Sequence, residues 1–172
     1  MSPNGVTKLA AEHLCVLYAR NHGLPTAALR YFTVYGPGQR PDMAFTRFCT
    51  AVRDGREIEL YGTGEQVRDF TYVDDVVEAN LRVADAEAAA VPPGTVLNVA
   101  GGSSTTVNEV LALLGEISGE QVRVARRPAV PGDVWRTGGS TDAIKAAIGW
   151  APHVDLRTGL EEQFRWASAL LV

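Results

Sequence analysis

Apolar positions recur at helical spacing from the start of the chain. Val6, Leu9, Ala10, Leu14, Leu17 and Tyr18 repeat every three or four residues, which predicts a helix over residues 5–22. Gly23 and Pro25 stop it. "TAALRYFTVYG" is a continuous apolar and aromatic run, closed by "GPGQRP". It predicts one buried strand over 27–35 and a loop. Residues 43–54 return to helical spacing and end at Gly55.

The next stretch holds two short strands, in "EIELYGTGEQ" and "RDFTYVDD". Asp74 is placed to cap a following helix, since its carboxylate can accept from free backbone N–H groups. That helix is expected to run to about Ala90, where "PPG" breaks it. "TVLNVAGG" predicts a second buried strand, near 95–100. Thr106 and Glu109 stand at capping-box spacing ahead of a helix that ends near Gly119. "QVRVARRP" alternates like a half-exposed strand. The polar loop "VPGDVWRTGGS" leads to a short helix ending at Gly149, and Thr158 with Glu161 resembles a second capping box at the start of the last helix. Helices alternating with strands give an α/β class. There is no internal repeat or linker, so one domain is expected over residues 1–172. Only two strands read as buried on both faces, so the chain looks like part of a larger sheet.

Composition narrows the partners. The apolar fraction is 46%, the charged fraction 21% and the net charge −4, with no basic block. Nucleic-acid binding is not expected. No apolar run approaches the ~20 residues of a membrane span, and no signal peptide is read after Met1. Cys15 and Cys49 stand outside any metal-ligand spacing and fall in apolar helical patterns, so both are expected as buried thiols with no metal bound. A reducing cytoplasm is the expected compartment.

Catalytic signatures are sparse. A dinucleotide fold carries a glycine-rich turn between a strand and a helix, so that backbone can approach a pyrophosphate. "YGTGEQ", "AGGSS" and "TGGS" lack that context and read as turns. His13, His22 and His153 lie far apart. Three polar segments, "GPGQRPDM", "GTGEQVRDF" and "RRPAVPGDVWRT", each place arginine beside glycine or proline. They could converge on a phosphate, whose oxygens match the guanidinium fork, or remain solvated turns.

Several segments, in order, resemble one family: S-P-N-G-V-T-K-L-A-A-E, "LRYFTVYGPGQRPDMAF", "LYGTGEQVRDFTYVDDVV", "LNVAGG", "PGDVWRT" and "IGWAPHVDLRTGLE". The chain resembles the C-terminal half of extended short-chain dehydrogenase/reductases, the NAD-dependent nucleotide-sugar epimerases and dehydratases. It is most similar to UDP-glucose 4-epimerase-like and UDP-glucuronate epimerase-like members. The resemblance implies the last strands of a Rossmann-like sheet plus the small substrate-binding subdomain. It also implies that the sequence begins at the family's Y-x-x-x-K helix, without the half that holds the glycine fingerprint, NAD and the catalytic hydroxyl. No cofactor is therefore expected for this chain alone.

In the family the tyrosine is the base that removes a sugar hydroxyl proton as hydride leaves to NAD, and the lysine lowers its pKa and holds the nicotinamide ribose. Asn4 occupies the tyrosine position and Lys8 the lysine position. A carboxamide cannot titrate as a general base, so no intact catalytic set is expected, and Lys8 is expected as a surface charge. The implied substrate contacts are Thr33, where many members carry Asn, Leu60 and Tyr61 beside the base, Arg68 on the pyrophosphate and Asp133 near the uridine ribose. Val130 replaces an arginine usual in the family, and Ser140 stands where Asp is frequent; both remove polar contacts. Three readings stay open. The chain is a truncated family member keeping part of a UDP-sugar site, alone or with a partner that supplies the missing half. Alternatively it is a repurposed scaffold binding another small molecule for cofactor-independent chemistry, or an inactive remnant. The uncovered apolar stripe of the first helix and the edge of the 27–35 strand lead us to expect a homodimer.

Overall fold

The structure is a computed structural model and describes residues 3–129, 132 and 134–169. The first helix, α1 (Pro3–His22), ends where Gly23 turns at a left-handed φ of 65° and its N–H returns to the Ala19 carbonyl. The stripe of Val6, Leu9, Leu14, Leu17 and Tyr18 faces outward, each residue about half exposed. The inward face is Glu12, Cys15, Val16 and Ala19, and only Ala19 is fully buried. Gly94, at φ 84°, lets the backbone come against this face, where a Cβ would meet Ala19 at 3.2 Å. Cys15 is accordingly only half-buried, whereas Cys49 is completely enclosed and burial pushes its thiol up to about 12.

The run expected as one strand is two. β1 (Ala27–Tyr31) pairs in parallel with β5 (Thr95–Val99), from Ala27 opposite Thr95 to Tyr31 opposite Val99. The chain breaks at Phe32, and β2 (Thr33–Tyr35) pairs with a different strand, β4 (Val67–Tyr72). An antiparallel strand missed by the sequence reading, β6 (Ser104–Thr106), closes the other side of β4. β3 (Ile58–Tyr61) pairs in parallel with β7 (Val124–Arg127). Among the described residues there are thus three small sheets, ordered β1-β5, β2-β4-β6 and β3-β7.

The remaining helices are α2 (Ala44–Arg53), α3 (Val73–Asp85), α4 (Val107–Ser118), α5 (Asp142–Ile148) and α6 (Leu156–Ala169). The Thr106–Glu109 capping box is complete: each side chain meets the other residue's backbone N–H, at 3.1 and 2.7 Å. The other two caps differ from expectation. α3 has no side-chain cap, Asp74 lies within its first turn, and the helix ends at Asp85, about five residues before Ala90. α6 starts from Asp155, whose carboxylate accepts the Thr158 N–H at 2.9 Å and its O–H at 2.8 Å. These bonds hold the Asp155 carboxyl below the usual range. Thr158 is therefore the capped residue and not the cap.

Two apolar clusters form the interior. One gathers Tyr35, Phe45, Phe70, Leu114 and Leu160; the other gathers Leu97, Val99, Ile144 and Trp150. Asp75, fully buried at the start of α3, ties them. Its carboxylate accepts the backbone N–H groups of His153 and Val154 at 3.1 and 3.2 Å, and its carbonyl accepts the Trp150 indole N–H at 3.0 Å. Deleting this acceptor strands buried donors, so Asp75→Ala is expected to lower unfolding free energy by about 3 kcal/mol and Asp75→Asn by less. Urea denaturation measures both; an Asp75→Ala protein as stable as the parent would contradict the clasp.

Candidate functional site

The site builds outward from β3 and β4. Along β3 the side chains alternate, Ile58 and Leu60 inward, Glu59 and Tyr61 outward. The next segment, "YGTGEQ", is the turn it was read as. Gly62 and Gly64 adopt φ of 76° and 77°, and a Cβ on Gly64 would lie 2.3 Å from Asn108. Asn108, in the first turn of α4, locks the turn: its amide donates to the Thr63 carbonyl at 3.0 Å and to Glu65, and its backbone N–H reaches the Gly64 carbonyl. Arg126 of β7 donates to the same Thr63 carbonyl. The turn delivers Gln66 to the start of β4 and Arg68 onto it.

Glu59, Leu60, Tyr61, Gln66 and Arg68 then line one cleft of about 320 Å³ together with Asp42 and with Arg47 and Phe48 of α2. That volume lies at the small end of ligand pockets, about 300–1,000 Å³. The Arg68 guanidinium donates to the carbonyls of Val67, at 3.0 Å, and Trp135, at 3.4 Å. The "VWRT" segment runs beside β4 here, with Val67 N–H donating to Trp135 and Thr137 N–H donating to Val67. Arg68 is thus held by backbone at the cleft wall.

The cleft's second wall depends on a buried polar network. Gln163 of α6 accepts the Gly36 N–H at 2.9 Å and donates to Gln39 and Thr46 at 3.0 and 3.2 Å. Gln39 in turn donates to the Val34 carbonyl and accepts the Thr46 N–H. The loop after β2 is fixed through these bonds, and with it Asp42 and the start of α2.

Three of the five sequence-derived contacts therefore converge: Leu60, which is 6% exposed and serves as a wall, Tyr61 at the rim, and Arg68. Thr33 starts β2 opposite Phe70 and does not line this cleft. Asp133 and Val130 lie outside the described residues. Asn4 and Lys8 are both exposed on α1, one helical turn apart, and the Asn4 carbonyl accepts the Thr7 hydroxyl at 3.0 Å. Ser140 has a local role, accepting the Asp142 N–H at the start of α5.

The three arginine-bearing segments converge only in part. Arg68 reaches the cleft. Arg40 pairs with Asp42 in solvent at 2.9 Å, and Arg127 pairs with Glu59 at 2.8 Å. The cleft's second cation is Arg47, which the sequence reading missed. The signal was available: Arg47 is the exposed position in a helix whose neighbours Phe45, Thr46, Phe48 and Cys49 are buried.

Two other clusters are structural. Asp69 accepts the Gly101 N–H with both oxygens, at 2.8 and 3.0 Å; burial raises its carboxyl above the usual range against the pull of that bond. His153 Nδ1 lies 2.7 Å from Asp75 and 3.6 Å from Glu78, a metal-like grouping. The Asp75 oxygens in it accept two backbone N–H groups, and the other Glu78 oxygen, Oε1, accepts Arg82 at 2.6 Å. Among the described residues no helix is long and apolar enough to cross a membrane.

Residues 1–100 match the model of the NAD dependent epimerase/dehydratase family. An uncharacterised UDP-glucose epimerase of Bacillus subtilis is 34% identical over 99% of this chain and 53% of its own. The fold superimposes on the crystal structure of UDP-glucuronic acid 4-epimerase from Bacillus cereus, in complex with UDP-glucuronic acid and NAD. The TM-score is 0.90 at 35% identity, over 96% of this chain and 52% of that one. MoeE5 in complex with UDP-glucuronic acid and NAD matches at TM-score 0.90 and 42% identity, over 96% of this chain and 55% of that one. The chain spans about half the length of these relatives and matches their C-terminal portion. With more than half of its residues on the family model, this chain belongs to the NAD dependent epimerase/dehydratase family.

Proposed function

We propose that residues 1–172 act as one domain, the nucleotide-sugar-binding half of a UDP-sugar epimerase, and that this half does not carry out NAD-dependent epimerisation by itself. The convergence of Leu60, Tyr61 and Arg68 on one cleft carries the reading. Leu60 and Tyr61 offer apolar and aromatic surface to a uracil ring. Arg68, joined by Arg47, offers charge to a diphosphate, where a guanidinium fork is the fitting donor. Relatives at TM-scores of 0.90 hold UDP-glucuronic acid. Thr33 and Asp133 complete the proposed contacts toward sugar and ribose.

The limit on chemistry comes from Asn4. Proton abstraction needs a group that titrates near working pH, and the carboxamide at the tyrosine position does not. Lys8 stands exposed in solvent, where it acts as a surface charge. NAD belongs to the other half of the family fold, so none is required for this chain alone to bind.

α1 supports self-association. An outward stripe of Val6, Leu9, Leu14 and Leu17 at helical spacing is a face that a second copy can cover. A cytoplasmic homodimer through this stripe is the proposed state.

Calorimetric titration with UDP-glucose, UDP and NAD tests the ligand. UDP species are expected to bind without NAD, and Arg68→Ala to weaken them by about tenfold or more; silence toward both UDP species would overturn the reading. Asn4→Tyr is expected to restore no conversion of UDP-galactose with added NAD, and detectable turnover would refute the stated limit. Light scattering at micromolar concentration should report twice the 18.4 kDa protomer. The double variant Leu14→Glu, Leu17→Glu should halve that mass, and a monomeric parent would rule out the dimer.

A further inference from the structure

Of the three tryptophans, Trp150 is fully buried and Trp166 packs against the first apolar cluster, but Trp135 keeps 63% of its surface in solvent. Its backbone is nonetheless fixed. The Val67 N–H donates to the Trp135 carbonyl at 2.9 Å and the Thr137 N–H donates to the Val67 carbonyl at 3.1 Å, which makes Arg136 the parallel partner of Val67. Paired residues of a sheet share a face, and their neighbours along each strand take the other. Trp135 and Thr137 therefore leave the backbone on the face that carries Gln66 and Arg68, both of which line the cleft. The Arg68 guanidinium leans to the same side, onto the Trp135 carbonyl. Tyr61 also adjoins this segment, since a Cβ on Gly62, the next residue, would lie 2.9 Å from the Gln66 amide. Two exposed aromatic residues, Tyr61 from β3 and Trp135 from "VWRT", thus border the strand that bears the cleft's cation.

We infer that Trp135 is a further binding residue of this cleft, whose indole stacks on the nucleobase placed beside Leu60 and Tyr61, an inference that rests on the nucleotide-sugar reading above. Neither spacing nor resemblance singled this residue out. An indole carries a broad apolar face, and every base has a π-face to meet it, so the contact needs no exact hydrogen-bond geometry. Its place beside Arg68 suits a nucleotide, which presents an anionic diphosphate and a flat ring within one molecule. Trp135 is not among the residues lining the 320 Å³ space, so the ring meets a ligand from the mouth and not from the floor. The bonds at its carbonyl and on both sides of Arg136 hold the backbone in place beforehand. Ordering the indole then costs two side-chain torsions and no loop rearrangement, which favours binding by preorganisation.

The experiment titrates the full 172-residue chain with UDP, read by calorimetry and by tryptophan emission, in the parent, Trp135→Phe and Trp135→Ala. UDP is expected to change the emission of the parent and not that of Trp135→Phe, because Trp150 and Trp166 are packed inside. Trp135→Ala is expected to weaken UDP about tenfold, whereas Trp135→Phe, which keeps an aromatic face, stays within about threefold of the parent. Both variants should keep the parent's thermal midpoint, since the side chain they change is exposed. Affinity unchanged in Trp135→Ala would overturn the inference. So would an emission change that persists in Trp135→Phe, a phenylalanine variant as weak as the alanine one, or a loss of affinity that comes with a lowered thermal midpoint. A parent that gives neither heat nor emission change with UDP overturns the nucleotide reading and this inference with it; UDP binding that ignores Trp135 overturns this inference alone.

Discussion

A buried carboxylate holds the two halves of this interior together. Asp75 begins α3 immediately after β4, the strand that carries Arg68, and it reaches the segment leading into α6. Polar oxygens without solvent are tolerable only when hydrogen bonds replace their water, and two backbone N–H groups and the His153 ring face these. The indole of Trp150, on the carbonyl of the same residue, brings the second apolar cluster to the same point. The position of α6 follows from this contact. Because α6 carries Gln163, the loop forming the cleft's second wall follows from it as well.

The cleft is accordingly an assembly of constraints more than a set of ligand residues. Its one wall stands on a turn that only glycine permits and that Asn108 and Arg126 fasten from outside. Its other wall stands on a polar network inside the protein, in which the side-chain amides of Gln163 and Gln39 each donate to an acceptor. A fully bonded buried network specifies one arrangement where an apolar one would allow several. Arg47 and Arg68 consequently face the same space from different elements, one on a helix and one on a strand.

Much of this was legible in the sequence. The class, the Thr106–Glu109 cap, the glycine turns and the placement of Leu60, Tyr61 and Arg68 follow from pattern and resemblance. What was hidden depends on partners far along the chain. The stripe of α1 and its lack of cover were visible, but periodicity does not say which residues of the opposite face meet the body; Glu12, paired with Arg30, is one of them. The run from Ala27 to Tyr35 gave no sign of its break, because a switch of pairing at Phe32 leaves no local mark. Asp155 beat Thr158 to the cap because it precedes the helix by one residue, a boundary finer than hydrophobic spacing resolves. Arg47 was legible in retrospect, as the one exposed position among buried neighbours.

The bond from Gln163 to the Gly36 N–H spans 127 residues. During synthesis the loop after β2 emerges well before the side chain that anchors it. Strands β1 and β2 can form before then, but the rim of the cleft cannot take its final shape. Until α6 arrives the growing chain therefore carries an unfinished binding surface. Long-range contacts of this kind slow folding, and here the delay falls on the part of the molecule that would meet a ligand.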